Sequence, residues 1–215
     1  MGTLLLIWVW DMSILIRSTE LGGILESERT WDILLIGGAS GSGKTSISYP
    51  LARLYGIDLV RVDDFQVLLE SLTTPESHPS IHYWRAHPSW RDEGVDSTVS
   101  QLIDVGQMLI PGLVAVINDH LEENIPMILE GDFILPELVA HFQNARVKAV
   151  FIHEPSKEQI LQNYLLREGE IQQYHAEVSC SYGDFLSKNC FKFNIPIIES
   201  RPWDTLMERV IDSLK

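Results

Sequence analysis

The chain has 215 residues, and its 16 Lys and Arg against 30 Asp and Glu give a net charge of −14 at neutral pH. This balance excludes a broad nucleic-acid surface, which needs a face of Lys and Arg, and argues equally against binding to an anionic membrane. The apolar share of 45% allows a sizeable core, so we expect one folded domain, in which a local basic site for a small anion is still possible.

Residues 1–30 are predicted to be an N-terminal extension of uncertain role. Residues 4–10 form an apolar run that Asp11 interrupts. The run is too short for a transmembrane helix, which needs about 20 apolar residues, and it lacks the basic segment and cleavage site of a signal peptide. An extra strand and a hydrophobic tail are both compatible with it, and Met12 is an alternative natural start.

From residue 31 onward, short apolar runs alternate with helical patterns. The runs predict strands at residues 33–36, 57–62, 126–129, 147–152 and 195–198. Apolar residues at helical spacing predict helices at residues 44–55, 98–109, 113–123, 156–167 and 204–214. This alternation is typical of a parallel α/β sheet with right-handed crossovers. We therefore predict a single α/β domain over residues 31–215.

Two prolines are expected to disturb the helices. Pro111, followed by Gly112, is predicted to split a long helical stretch and to open the second helix, since proline is accepted in a first helical turn. Pro50 removes a backbone hydrogen bond from the first predicted helix, so we expect a kink there or a helix that tolerates it near its first turns.

A glycine-rich loop follows the first predicted strand. It matches G-x-x-x-x-G-K-[ST] with Gly38, Ala39, Ser40, Gly41, Ser42, Gly43, Lys44 and Thr45, and Ser46 follows. Glycines let backbone N–H groups point at phosphate oxygens, and the start of the next helix favours negative charge there. Lys44 is expected to reach the β- and γ-phosphates of ATP, and Thr45 to ligate Mg²⁺. A strand before the loop and a helix after it supply the context that this motif requires.

Acidic residues follow two further predicted strands. Asp63 and Asp64 come after the second strand, and Glu130 after the third. Ligands bind at the carboxyl ends of strands in open sheets, so Asp63 is predicted to accept a proton from a hydroxyl group or to hold Mg²⁺. Glu130 is predicted to order Mg²⁺. Helix capping is the alternative role for each acid, and Asp64 is the better capping candidate.

The loop is compatible with a kinase, a GTPase or a motor ATPase. The Asn-Lys-x-Asp motif of GTPases is absent from the sequence, and a motor needs more chain. Residues 37–45 resemble the opening of 2-phosphoglycerate kinases and related small P-loop kinases, and residues 106–112 and 128–136 are similar to that family's helix pair and strand end. Residues 63–65 resemble the Asp-x-Phe-Tyr element of uridine kinases, although Gln66 stands in place of the Tyr. The resemblance extends from about residue 32 to residue 212.

The resemblance implies a P-loop NTPase-type parallel sheet flanked by helices, with a helical lid at about residues 163–182 and an inserted acceptor-binding loop. In resembling kinases an Arg at the position of Arg167 closes over the phosphates. In related small kinases the loop after the last strand binds adenine, so the resemblance implies that Arg201 or Pro202 flanks the base. Trp203 is expected in the core, and Asp204 is expected to cap the last helix.

The lid stretch departs from the family's pattern. It holds one Arg, Arg167, together with the acids Glu168, Glu170 and Glu177, whereas the phosphoglycerate kinases are richer in Arg there. A doubly anionic acceptor would require those cations. A neutral acceptor such as a nucleoside or a sugar is therefore as compatible with the sequence as a phosphorylated one.

Residues 73–94 are the candidate acceptor pocket. This segment is long, irregular and rich in Pro and His, and it combines rings with cations: Tyr83, Trp84, Arg85, His87, Trp90 and Arg91. Rings offer stacking area and Arg offers bidentate hydrogen bonds, which would suit a nucleobase, a sugar or a carboxylate. The alternative is a structural loop pinned by two buried Trp side chains.

Together these features predict a cytoplasmic, ATP- and Mg²⁺-dependent kinase that phosphorylates a hydroxyl group of a small molecule, with neither nucleic acid nor membrane as a partner. The predicted catalytic residues are Lys44, Asp63 and Arg167, and the predicted Mg²⁺ contacts are Thr45, Asp63 and Glu130. Two cysteines are too few for a disulfide framework and fit a reducing setting. A uridine-kinase-like nucleoside kinase and a non-catalytic ATP-binding regulator are the alternatives, and the oligomeric state is left open.

Overall fold

A computed structural model of the chain describes residues 29–142 and 144–215, so the predicted extension lies almost wholly outside the described residues. In this part of the chain five strands form one sheet: β1 (Ile33–Gly37), β2 (Asp58–Arg61), β3 (Met127–Glu130), β4 (Val147–His153) and β5 (Ile197–Glu199). They are parallel throughout, in the order β2-β3-β1-β4-β5.

Helices cover both faces of this sheet. The described residues form α1 (Lys44–Tyr55), α2 (Val62–Leu72), α3 (Pro79–Ala86), α4 (Val95–Glu123), α5 (Pro136–Val139), α6 (Lys157–Glu168), α7 (Gln173–Phe193) and α8 (Leu206–Ser213), with short 3₁₀ turns at Trp90–Glu93 and Trp203–Thr205. The predicted parallel α/β fold is confirmed. The predicted cap at Asp204 is wrong, because that residue lies inside a 3₁₀ turn and α8 begins after Thr205.

The central strand β1 is buried on both faces. Ile33 and Leu35 join the cluster that also contains residues of α4 and α7, whereas Leu34 and Ile36 join the cluster with α1 and α8. A strand covered on both sides needs apolar residues at every position rather than at alternate ones. This explains the unbroken apolar run that precedes the glycine-rich loop.

The predicted break at Pro111 is wrong, because α4 continues through it to Glu123. Pro111 is exposed, while Val105, Leu109, Leu113 and Ile117 recur every four residues and are buried in the core. Burial of this continuous apolar face outweighs the hydrogen bond that proline removes. By length and composition α4 could also cross a membrane, although the core helix of a globular protein passes the same test.

Residues 73–94 are more regular than the sequence suggested, since they contain α3 and the 3₁₀ turn Trp90–Glu93. The Tyr83 hydroxyl donates a hydrogen bond of 2.5 Å to Glu93 Oε2, which ties the helix to the turn. Trp84 and Trp90 are half-buried and meet edge to face, with ring centroids 5.0 Å apart. The segment is thus an ordered wall with two partly accessible indole rings.

Candidate active site

The carboxyl ends of β1, β2 and β3 meet at one edge of the sheet. Glu130, the last residue of β3, pairs in register with Ile36 of β1 on one side and with Arg61 of β2 on the other. Its side chain is only 4% exposed. The register therefore places a buried carboxylate between the glycine-rich loop after β1 and the acids after β2.

The glycine-rich loop has the backbone of a phosphate-binding turn. Gly41 and Gly43 have φ angles of 75° and 98°, in the left-handed region that favours glycine. The Asn163 side chain of α6 donates a hydrogen bond of 2.8 Å to the Gly41 carbonyl and holds the loop in place. Ser42 Oγ is buried and has no hydrogen-bond partner among the described residues. A buried, unpaired hydroxyl in such a turn fits a phosphate group.

Lys44 is buried at the base of this loop. Its Nζ donates hydrogen bonds to the Ala39 carbonyl at 3.0 Å and to Asp132 Oδ1 at 2.5 Å. The Tyr182 hydroxyl holds the Asp132 backbone carbonyl at 2.8 Å. Asp132 was not among the sequence-predicted site residues, although its position two residues after Glu130, in the same turn, is a signal that could have found it.

Thr45 and Glu130, both predicted Mg²⁺ contacts, are adjacent: the Thr45 hydroxyl donates a hydrogen bond of 3.1 Å to Glu130 Oε1. Among the described residues there is no group of three or more His, Cys, Asp or Glu side chains able to hold a metal ion. Mg²⁺ in nucleotide sites takes one or two protein oxygens and fills its remaining positions with phosphates and water, so this pair fits the ion. Burial raises the pKa of Glu130, and the charge of Lys44 opposes that shift.

Asp63 lies in the first turn of α2 rather than at the end of a strand, and its side chain is 38% exposed. Arg61 Nη2 donates a hydrogen bond of 3.0 Å to Asp63 Oδ2. Partial burial raises the pKa of Asp63, and the charge of Asp132 raises it further, against the opposing charge of Lys44. The predicted capping role of Asp64 is wrong, because the N-cap of α2 is Arg61.

A cavity of about 220 Å³ opens beside Asp132. Ser40 of the glycine-rich loop and Asp132 form the side next to the nucleotide motif, and the two indole rings of residues 73–94 lie on its wall. The lining residues are Ser40, Trp84, Trp90, Thr98, Leu102, Asp132, Tyr164, His175, Val178, Ser179 and Tyr182. The sequence-predicted acceptor segment therefore shares a cavity with the phosphate loop.

The predicted lid, residues 163–182, divides into two parts. Tyr164 and Tyr182 are buried and pack next to the cavity, whereas the connection around Gly169, with φ of 80°, joins the exposed ends of α6 and α7. Arg167 Nη2 lies 2.6 Å from Glu168 Oε1, and its guanidinium lies 4.9 Å from the centroid of the Tyr164 ring. Its contact with phosphates stays a prediction.

The loop after β5 lies against the glycine-rich loop. The buried Glu154 carboxylate accepts a hydrogen bond of 2.5 Å from the Ser200 hydroxyl, and Arg201 Nε lies 3.4 Å from the same carboxylate. Trp203 was expected in the core, but it is 40% exposed, and its ring packs on Gly43. Contact of Arg201 or Pro202 with a nucleotide base stays a prediction.

No family model matches the chain, whereas comparison with curated proteins gives several relatives. The chain is similar to the 2-phosphoglycerate kinase of Methanopyrus kandleri, with 23% identity over 202 residues that cover 83% of this chain and 59% of the relative. It is also similar to the mevalonate-3-phosphate 5-kinase of Thermoplasma acidophilum, with 29% identity over 126 residues, 57% of this chain and 62% of the relative. The chain thus spans about three fifths of the length of these curated relatives.

Solved structures show the same fold. The shikimate kinase from Acinetobacter baumannii in complex with shikimate superposes with a TM-score of 0.51, over 87% of this chain and 94% of that one, at 15% identity. At such low identity the likeness concerns the fold alone. The predicted resemblance to small P-loop kinases is therefore confirmed by both the sequence relatives and the fold.

Proposed function

We propose that this protein is an ATP-dependent kinase that transfers the γ-phosphoryl group of ATP to a hydroxyl group of a small metabolite. The ion pair between Lys44 and Asp132 carries the proposal, because it joins the phosphate loop to a carboxylate that lines the neighbouring cavity. Phosphoryl transfer consists mostly of positioning and charge stabilisation, and this arrangement places a nucleotide site and an acceptor site side by side.

The phosphate side of the site is built from the loop and the buried acid of β3. Ser42 and the backbone N–H groups of the loop bind phosphate oxygens, and Lys44 moves its ammonium from Asp132 to the β- and γ-phosphates. Thr45 and Glu130 would hold Mg²⁺, and the charge of Asp63 acts on Glu130 from nearby. The ion, when bound, neutralises the charge that develops on the phosphates.

The acceptor side uses Asp132. The acceptor oxygen forms a bond to the γ-phosphorus, the bond from that phosphorus to the bridging oxygen breaks, and ADP leaves with the electron pair. The proton of the hydroxyl group passes to a carboxylate. Asp63 was the base favoured by the sequence, but Asp132 is the carboxylate on the cavity wall, so we assign the proton to Asp132.

A second candidate function is an ATP-binding regulator without turnover. One observation favours it: Arg167, the single Arg of residues 163–182, is ion-paired with the adjacent Glu168 and is exposed. In the kinase proposal Arg167 exchanges this partner for the transferring phosphoryl group when the lid closes.

The cytoplasmic location and the small-molecule acceptor belong to the same proposal. The free thiols of Cys180 and Cys190 support a reducing, cytoplasmic location. The names of the curated relatives support a small-molecule acceptor.

The test measures ADP release from Mg·ATP across a panel of hydroxyl compounds that includes 2-phosphoglycerate, uridine, pantothenate, gluconate and several sugars. We expect one acceptor to raise turnover well above the rate with water. Lys44→Ala should abolish both ATP binding and turnover, whereas Lys188→Ala, which removes an exposed Lys of α7, should change neither. A flat panel with intact ATP binding would favour the regulator, and normal ATP binding by Lys44→Ala would remove the phosphate-loop assignment.

A further inference from the structure

The cavity beside Asp132 has aromatic walls. Trp84 and Trp90 meet edge to face, and the imidazole of His175 stacks parallel to Trp90, with centroids 5.9 Å apart and planes inclined by 5°. Tyr164 and Tyr182 complete the wall from α6 and α7. Flat faces of this kind gain contact area from another ring at little cost in side-chain entropy.

The polar groups on the wall are mostly neutral and already paired. Tyr164 Oη and Ser179 Oγ lie 3.0 Å apart, and Thr98 Oγ1 lies 2.8 Å from Tyr174 Oη. Burial lowers the pKa of His175, and the charge of Arg91 lowers it further, so both favour the neutral form of this ring. Asp132 is the charged side chain on the wall, and no Lys or Arg of the described residues is among the lining residues.

The cations nearest the cavity already have partners. Lys44 Nζ lies 2.5 Å from Asp132 Oδ1 but is not among the lining residues, and in the proposed function it leaves Asp132 for the phosphates of ATP. Arg91 lies over the Trp90 ring at 4.4 Å from its centroid, with Nη2 3.3 Å from His175 Nε2. Arg85 is ion-paired with Glu70 of α2. A phosphate or carboxylate in the cavity would therefore face the Asp132 carboxylate without a cation on the wall to balance it.

We infer that the phosphoryl acceptor is an uncharged alcohol that carries a ring, and that it stacks on Trp84 and Trp90 with a hydroxyl group directed at Asp132. This inference rests on the proposed kinase function and names the substrate class of the same site. The cavity of about 220 Å³ is smaller than the range of about 300–1,000 Å³ that is typical of drug-sized ligands, so a compound built on one ring fits best.

The experiment compares compounds that share a ring and differ in charge. The pairs are methyl shikimate with shikimate and glucose with glucuronate, and 2-phosphoglycerate serves as an acyclic polyanion. Calorimetry measures their binding to the full chain with Mg²⁺ and a non-hydrolysable ATP analogue present, and ADP formation from ATP is followed in parallel. We expect the uncharged member of at least one pair to bind at least tenfold more tightly than its partner.

Variants of the wall assign that binding to the cavity. Trp84→Ala should weaken the binding of the uncharged ring compound at least tenfold. Trp84→Phe keeps a ring, so it should retain most of the wild-type affinity and shows that a substitution at this position leaves the fold intact. Arg91→Gln should change this affinity less than threefold, because Arg91 is not among the residues that line the cavity. Lys188→Ala is the surface control.

Four outcomes decide the inference. Tighter binding of the uncharged ring compounds that depends on Trp84 supports it. Tighter binding of the anionic members, lost in Arg91→Gln, overturns it while the kinase proposal stands. Absence of binding by every uncharged ring compound, with the ATP analogue bound normally, also overturns it. Trp84-dependent binding without any ADP formation supports the ligand class of the cavity and removes the kinase proposal instead.

Discussion

The indole ring of Trp203 lies so close to Gly43 that a Cβ atom at Gly43 would be 2.7 Å from two of the ring carbons. Gly43 is the N-cap of α1, with φ of 98°. The ring therefore ties the loop after β5 to the phosphate loop. The buried Glu154 carboxylate holds the loop after β5 through Ser200, so the ring that packs on Gly43 is carried by an anchored loop.

We predict that Gly43→Ala weakens Mg·ATP binding at least tenfold, because the new methyl group must displace Trp203 and the alanine is strained in the left-handed region. Gly56→Ala is the matched control: Gly56 also has a positive φ, of 65°, but a Cβ there would meet nothing within 4 Å. It should cost about 1 kcal/mol of stability and leave ATP affinity unchanged. Equal loss of affinity in both variants, measured by calorimetry, would attribute the effect to strain alone.

Substitutions of Asp132 and Asp63 should lower kcat by different amounts. Asp132→Asn is expected to lower kcat by about 10²–10⁴-fold, as the loss of a general base does, without weakening ATP binding, because Lys44 is then free of a competing carboxylate. Asp63→Asn should lower kcat by about tenfold, since it keeps the cavity wall intact. Steady-state kinetics with the acceptor found in the panel check this. The reverse order of the two effects would return the base to Asp63, as the sequence suggested.

The charges at the sheet edge should be coupled in a measurable direction. Asp132 raises the pKa of Asp63 and Arg61 lowers it. Asp132→Asn should therefore move the pKa of Asp63 down, and Arg61→Leu should move it up, both measured by carbon-13 NMR titration of the carboxyl group. An unchanged pKa in both variants would show that these groups do not interact.

The sign of the pH dependence follows from the same shift. Because the folded-state pKa of Asp63 is raised, the folded chain binds this proton more tightly than the unfolded chain does. The stability from this group is fully present below the ordinary carboxyl pKa and is lost as the pH rises through the raised value. In Asp132→Asn the pKa of Asp63 is raised less, so this stability should be lost at a lower pH than in the wild type.

The phosphate loop could be predicted from sequence because its determinants are local. Glycines, the Lys and the following apolar periodicity lie within 20 residues, and the helix over Lys44–Tyr55 has the predicted bounds. The strands are close to their predicted positions for the same reason, since each is a short apolar run. The contact between Lys44 and Asp132 spans 88 positions and depends on the strand order, for which no local pattern exists.

Two other differences arise where tertiary contacts override a local rule. The proline of α4 signals a helix end, but the apolar face of that helix continues on both sides of it and is buried. Trp203 is large and apolar, which favours the core, yet it lies half-exposed on Gly43, where only a residue without a Cβ allows the approach. Composition alone cannot distinguish a ring that fills the core from one that covers a loop.

Two glycines of α4 give a matched test of how the helix packs. At Gly112, which is exposed, an added Cβ would meet nothing within 4 Å, whereas at Gly106 it would lie 2.7 Å from Leu135 Cγ. Gly112→Ala should therefore raise the free energy of unfolding by about 0.5–1 kcal/mol, because alanine loses less backbone entropy in a helix. Gly106→Ala should lower it by about 1–3 kcal/mol through overpacking against Leu135.

Urea unfolding followed by circular dichroism measures both variants of α4. Opposite signs are expected because the two substitutions make the same chemical change in the same helix and differ only in what the new methyl group meets. A stabilising Gly106→Ala would mean that Leu135 moves aside at little cost, and the turn after β3 that carries Asp132 would then be less rigid than its buried neighbours indicate. A destabilising Gly112→Ala would show that the new methyl group is not accommodated in open solvent as the geometry at Gly112 predicts.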